Sequence, residues 1–293
     1  MKRLLVIGGG LAGLNAAYEA KRAGAEVRVL ELSDRAGGVV HSLRENGFLY
    51  EMGPNTLLNR DPALQQLIAD LGLREEMVEA APAARERFIV REGKLVSVPM
   101  SAGKFLTTSL LTMAAKLRLL REPWARARVM SESGEESLAA FARRRLGAEV
   151  FTYGLEPFVA GIFAGDPEKL SVRHALPRLQ AMEEEHGSLA KAAWKALRNR
   201  RGNGPPRLIS FQDGIGALPQ ALAAELGETL TLQARLTSLE KDSTGMWEAA
   251  WKTPTTEVRE KFDAVTLAVP AHALANLPLP AALTTQLAPL AKN

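Results

Sequence analysis

The spacing of hydrophobic positions changes several times along this chain, and each change predicts an element. Leu4-Leu5-Val6-Ile7 is a short unbroken apolar run, the pattern of a buried parallel strand. Gly8-Gly9-Gly10-Leu11-Ala12-Gly13 follows at once. The period then turns helical from Leu14 through Ala23, with Leu14, Ala17 and Tyr18 on one face and Gly24 as the stop. Val27-Arg28-Val29-Leu30 predicts a second strand that finishes in Glu31. Leu64, Leu67, Ile68 and Leu71 predict a short amphipathic helix stopped by Gly72. Two extended runs flank Arg91-Glu92-Gly93-Lys94, the pattern of a hairpin with Gly93 in its turn. Leu106, Leu110, Met113, Leu117 and Leu120 fall on one helical face. Glu156 to Val172 reads as a loop between helices, and Lys195 to Arg207 as a flexible connection. Leu218, Leu222 and Leu226 predict a helix, and strands are expected at 230–232, 236–239, 246–251 and 264–269.

Composition narrows the class. The 293 residues are 46% hydrophobic and 24% charged, which excludes a disordered chain and a polytopic membrane protein. The absence of cysteine excludes disulfide scaffolds, cysteine nucleophiles, thiolate zinc sites and iron–sulfur clusters. His41, His174, His186 and His272 have no metal-ligand spacing, so no metal is expected. The net charge of +4 is mild and comes without a nucleic-acid-reading motif, so no nucleic acid partner is expected. Only Leu4 to Ile7 separate Met1-Lys2-Arg3 from the glycines, which is too little for a signal peptide. The apolar run Phe105 to Ala115 is short of the ~20 residues a spanning helix needs. The expected location is cytoplasmic.

The first forty residues carry the chemistry. Strand, helix and strand enclose G-x-G-x-x-G at the first turn. Gly8 permits a tight turn, Gly10 lets a pyrophosphate reach the backbone, and Gly13 lets the helix pack on the strand. The helix N-terminus attracts the anion, and Glu31 stands where a carboxylate accepts ribose hydroxyls. This is a dinucleotide site, and the motif alone does not separate NAD from FAD. Ser33-Asp34-Arg35-Ala36-Gly37-Gly38 and Gly47-Phe48-Leu49-Tyr50-Glu51-Met52-Gly53-Pro54-Asn55 follow. With them, Val6 to Asn55 resembles the FAD-binding start of the flavin amine oxidase superfamily. The resemblance implies FAD contacts at Gly8, Gly9, Gly10, Leu11, Ala12, Gly13, Glu31, Leu32, Gly38, Val39, Gly53, Pro54, Asn55 and Thr56, and at the backbone of Leu236.

Glu156-Pro157-Phe158-Val159-Ala160-Gly161-Ile162-Phe163-Ala164-Gly165-Asp166-Pro167 and the residues to Val172 resemble the protoporphyrinogen and coproporphyrinogen oxidase branch of that superfamily. The branch implies FAD-dependent oxidation of protoporphyrinogen IX to protoporphyrin IX with molecular oxygen. The alternatives are coproporphyrinogen III oxidation, or a FAD-binding remnant without turnover. It implies Arg87 as an anchor for a substrate propionate and Gly161 as a residue facing the porphyrinogen ring. A surface arginine and a glycine serving its own loop are the plainer readings. No catalytic acid or base is assigned.

The implied fold class is α/β, α+β overall: a Rossmann-like FAD-binding domain with an inserted helical membrane-associated region and a partial substrate-binding β-domain. The expected boundaries are 1–60 for the first FAD-binding part and 61–100 for a substrate-domain segment. The helical insertion follows at 101–205, the FAD-binding return at 206–270, and the start of a truncated substrate domain at 271–293. Cations and Trp124 along Lys104 to Arg128 point to peripheral contact with the cytoplasmic face of the cell membrane, the alternative being an apolar stripe packed in a core. A homodimer is among the assemblies the resemblance leaves open. Family members continue beyond the length of this chain, so the C-terminal third is expected to be missing.

Overall fold

A computed structural model describes residues 2–81, 86–99, 102–125, 135–198 and 207–291. The chain divides into two compact units, Met1–Ala80 with Pro206–Asn293, and Ala81–Pro205.

The first unit begins with β1 (Arg3–Ile7), helix α1 (Leu11–Arg22) and β2 (Glu26–Leu30). A hairpin of β3 (Ser42–Glu45) and β4 (Phe48–Glu51) follows, closed by Asn46 and Gly47 at φ 50° and 81°. Two positive φ values in a two-residue turn match the strand twist, and Asn-Gly supplies them cheaply. Next come β5 (Leu57–Asn59), α2 (Pro62–Asp70) and β6 (Met77–Glu79). Asp61 caps α2 by accepting the Ala63 N–H at 2.9 Å.

The second unit opens with a hairpin of β7 (Phe88–Arg91) and β8 (Lys94–Ser97) around Glu92-Gly93. Where one apolar face is expected across 106–120, there are two helices, Ala102–Thr107 and Met113–Leu120. Thr112 breaks the run by capping the second helix, and Glu149 holds it by accepting the Thr112 N–H at 2.9 Å. Leu110 is therefore buried, while Leu106, Met113, Leu117, Leu120 and Trp124 stay exposed. Lys116 is drawn inside, donating to the carbonyls of Leu106 and Thr108, both at 2.8 Å. Arg118 donates to the Arg144 carbonyl at 3.0 Å. Arg126 and Arg128 lie outside the described residues.

The segment read as a loop from Glu156 is helical through Phe163. The helix continues from a wider π-helical turn over Phe151–Leu155, Pro157 stands two residues after that junction, and Ala164 ends the helix at φ 47°. The connection expected from Lys195 is helical to Arg198, and Gly202 to Pro206 lie outside the described residues. Leu138, Phe141, Val159, Val172 and Leu189 form the core of this unit. A fully buried Arg145 crosses beside it. It pairs with Glu122 at 2.5 Å and donates to the carbonyls of Ala125 and Gly187 at 3.0 and 2.8 Å. Glu122 also accepts from Ser188 Oγ at 2.6 Å and from the N–H groups of Leu189 and Ala190 at 3.0 and 3.1 Å. Burial opposes its ionisation. These donors and Arg145 prevail, and the carboxyl is held below its ordinary range.

The chain rejoins the first unit as β9 (Arg207–Phe211), which pairs with both β5 and β6. Helix Ala217–Leu226 leads to β10 (Leu230–Thr231), β11 (Arg235–Lys241), β12 (Trp247–Lys252), β13 (Glu257–Phe262) and β14 (Ala264–Leu267). β13 escapes the hydrophobic pattern because Glu257, Arg259 and Lys261 fill its outward positions. A parallel sheet runs β10-β2-β1-β14, and an antiparallel one β11-β12-β13. β1 alternates between two cores. Leu5 and Ile7 join Leu236, Trp251 and Phe262, while Val6 meets Leu14, Ala17 and Leu222 on the helical side. The parallel sheet is thus the middle layer of three, and its strand ends are open to a ligand.

Candidate functional site

The C-terminal ends of β1 and β14 border a cleft of about 1660 Å³ within the first unit. Parallel sheets bind ligands there, where neighbouring connections leave in opposite directions. The space exceeds the roughly 300–1,000 Å³ of an ordinary small-molecule pocket. Its floor is glycine. Gly8 has φ 112°, and a Cβ there would lie 2.4 Å from the Ala268 carbonyl oxygen. A Cβ at Gly13 would lie 1.9 Å from the Gly8 carbonyl oxygen, so α1 approaches the turn only without a side chain. Gly10 differs, because a Cβ there would meet nothing. That empty volume fits a group supplied from outside.

Gly10 is also the N-cap of α1 and brings no side chain to satisfy the first-turn N–H groups. No acidic residue lies in that turn. An uncapped helix start facing a cleft favours an anion through its N–H groups and dipole. Beside it, Gly37 donates to the Gly9 carbonyl at 2.8 Å. Arg35 donates one Nη to the Gly38 carbonyl at 2.8 Å, while its other Nη is buried without a partner among the described residues.

Glu31 does more than its motif implies. One carboxylate oxygen accepts the Gly9 N–H at 2.6 Å, and the other accepts the N–H and hydroxyl of Ser33 at 2.8 and 2.7 Å. The carboxylate therefore braces the glycine turn while lining the cleft. Gly8, Gly10, Leu11, Ala12, Glu31, Leu32, Gly38, Val39 and Leu236 all line it. The ladder shifts register beside Leu236, between Leu236 and Ser238, as at a bulge. Gly9 and Gly13 stand behind the lining. Gly53, Pro54, Asn55 and Thr56 follow the β3–β4 hairpin outside it, with Gly53 against the Val39 carbonyl.

Ala268, Val269 and Pro270 form one wall that motif reading passed over; it also passed over Val40, which lines the cleft, and Arg35, which holds the Gly38 carbonyl from outside the lining. The wall had a signal: a buried strand ending at a proline is a candidate neighbour of β1. Arg35 had a weaker one, a lone cation between two glycine turns.

Arg87 and Gly161 both belong to the second unit. The Arg87 side chain is exposed and has no hydrogen bond or ion pair among the described residues, while its carbonyl accepts the Val98 N–H at 2.8 Å. Gly161 lies inside helix Glu156–Phe163, exposed, and a Cβ there would meet nothing. Loop geometry does not explain this glycine.

The uncapped helix start, the open Gly10 and the Glu31 carboxylate fit the pyrophosphate and ribose of FAD. The chain matches the flavin containing amine oxidoreductase family over residues 11–293. It is 33% identical to protoporphyrinogen oxidase 2, chloroplastic/mitochondrial, of Arabidopsis thaliana, covering 92% of this chain and 57% of that protein. It is 30% identical to coproporphyrinogen III oxidase of Staphylococcus aureus over 77% of this chain and 51% of that protein. Among solved structures, a provisionally assigned protoporphyrinogen oxidase from Exiguobacterium superposes with a TM-score of 0.73 at 29% identity, covering 94% of this chain and 61% of that one. The chain spans about half the length of the curated relatives it matches.

Proposed function

We propose that this chain, which belongs to the flavin containing amine oxidoreductase family, carries the FAD-binding part of a flavoenzyme that oxidises protoporphyrinogen IX with oxygen as acceptor. The observation that carries the reading is the glycine cleft: backbone N–H groups at Leu11 and Ala12 for the pyrophosphate, and Glu31 for the ribose. FAD supplies the two-electron acceptor, and the protein supplies position and electrostatics. In this reading Arg87 anchors a substrate propionate by a charged fork, for which its free guanidinium is suited. Gly161 leaves room for the macrocycle. A glycine within a helix costs about 1 kcal/mol against alanine, and no neighbour in the structure requires this one.

Coproporphyrinogen III is the second substrate reading, favoured by the similarity to the Staphylococcus aureus protein. Peripheral membrane attachment on the cytoplasmic face is part of the same proposal. Leu106, Met113, Leu117, Leu120 and Trp124 are exposed close together in sequence, and Trp124 is 80% exposed. No helix among the described residues is long and apolar enough to cross a bilayer. Vesicle binding that rises with anionic lipid and falls with salt is the expected result.

The deciding experiment is flavin absorbance of the purified chain, followed by oxygen uptake with each porphyrinogen. Flavin with uptake on one substrate selects that substrate. Flavin without uptake leaves a binding module, and no flavin refutes the reading.

A further inference from the structure

Two side chains at the open end of the β3–β4 hairpin form a clasp with the turn that opens helix Ala217–Leu226. Ser42 and Glu51 are the last paired residues of the hairpin. The Ser42 hydroxyl donates to one Glu51 oxygen at 2.6 Å. The other Glu51 oxygen accepts the Ile215 N–H at 2.8 Å, and the Gly216 N–H donates to Ser42 Oγ at 2.7 Å. The turn is shaped to receive them. Gly214 has φ 86°, and a Cβ there would lie 2.4 Å from Ser42 Oγ and 2.5 Å from the Glu51 carboxylate. Asp213-Gly214-Ile215-Gly216 is therefore a socket rather than a ligand loop.

The clasp lies one step behind the cleft wall. Met52, next to Glu51, donates to the His41 carbonyl at 2.8 Å. Gly53 then lies so close that a Cβ would be 2.0 Å from the Val39 carbonyl oxygen. Val39 and Val40 line the cleft with Gly37 and Gly38. The other end of that strap is tied down where Gly37 donates to the Gly9 carbonyl at 2.8 Å. The strap is thus held at both ends, by the dinucleotide turn and by the clasp.

We propose that Ser42 and Glu51 are positioning residues for FAD, which fix the Gly37–Val40 strap and the Gly53 corner at the separation the cofactor needs. Neither side chain lines the cleft, so neither is offered as a contact. The inference rests on the FAD assignment of the cleft.

The test uses the full chain with FAD as probe. Glu51→Gln keeps the shape but places an amide N–H against Ser42 or Ile215, and Ser42→Ala removes the hydroxyl. The expected result is a rise in FAD Kd of about ten-fold or more for Glu51→Gln and a smaller one for Ser42→Ala, with an altered visible circular dichroism of the bound flavin. Hydrogen exchange at Ile215, Gly216 and Met52 should accelerate while β1 and β2 keep their protection. Arg259→Ala, which removes an exposed pair with Glu248, serves as the control and should leave Kd unchanged. Faster exchange with wild-type affinity and an unchanged flavin spectrum would make the clasp purely structural and overturn the proposal. If Glu51→Gln does not fold, Ser42→Ala decides by the same readings. A wild-type chain that takes up no FAD would remove the assignment and the inference together, whereas equal binding by wild type and variants removes the inference alone.

Discussion

The two units are held in shape by opposite means. In the first, the cleft is made of backbone: glycines that permit contact, N–H groups at an uncapped helix start, and one carboxylate braced on the turn. In the second, side chains far apart in sequence, Glu122, Arg145 and Ser188, meet in a buried interior. Backbone sites tolerate changes around them but no added carbon where contact is already close. A buried side-chain network resists above all the loss of a partner. Mutations therefore separate the two regions by the kind of change each resists.

The largest effect is expected at the buried pair. Arg145→Ala or Glu122→Ala removes one charge of a pair whose members are 0% and 2% exposed and should destabilise the second unit by about 3 kcal/mol, the remaining hydrogen bonds of the survivor limiting the loss. Replacing both by apolar residues of similar volume should recover little of that loss, because Ser188 Oγ, the N–H groups of Leu189 and Ala190 and the carbonyls of Ala125 and Gly187 would lose their partners. Denaturant melts of the singles and the double measure it, and a double near wild-type stability would show that the pair only balances charge.

Glycine substitutions come next. Gly13→Ala forces a carbon onto the Gly8 carbonyl and should cost about 1–3 kcal/mol and abolish FAD uptake. Gly10→Ala meets only open space, so apo stability should stay near wild type while FAD affinity collapses. Thermal melts and FAD titration separate these outcomes, and equal destabilisation by both substitutions would contradict the open cradle.

Acid should act on the second unit through Glu122. Its folded pKa lies below the ordinary value of 4.5, so the folded state binds its proton less readily than the unfolded one. The stabilisation is complete above about pH 4.5 and is lost as pH falls through the folded value. Glu149, which burial pushes up but which the Thr112 donors and Arg91 together hold below its ordinary value, adds in the same direction. Melting between pH 7 and 3 should show the decline in wild type and a shallower one in Glu122→Gln.

The smallest effects concern the proposed substrate residues. Arg87→Ala should weaken porphyrin binding about ten-fold, with partial recovery in Arg87→Lys, since an ammonium cannot form the fork. Fluorescence titration with protoporphyrin IX and coproporphyrin III reads this without turnover. Gly161→Ala should weaken the same binding while stabilising its helix by about 1 kcal/mol. Stabilisation without lost binding would leave the glycine unexplained.

What could be read from the chain alone was local. Apolar runs and glycine spacing in the first forty residues predicted β1, α1 and β2 within a few residues, because each depends on near neighbours. The same logic located the β7–β8 hairpin and helix Ala217–Leu226. It failed where burial depends on distant partners. The face from Leu106 to Leu120 is continuous as a pattern but broken in space, because Thr112 takes a cap and Glu149, from beyond the helix, holds it there. The polar alternation of β13 hides a strand that only β12 reveals. Ser42 and Glu51 look unremarkable until Ile215 and Gly216 are brought to them. Glycine restrictions act through the backbone at the residue that carries them, so sequence alone determined the dinucleotide turn. Carboxylates and guanidinia act through whatever stands opposite, so the clasp and the buried ion pair were decided only by the tertiary structure.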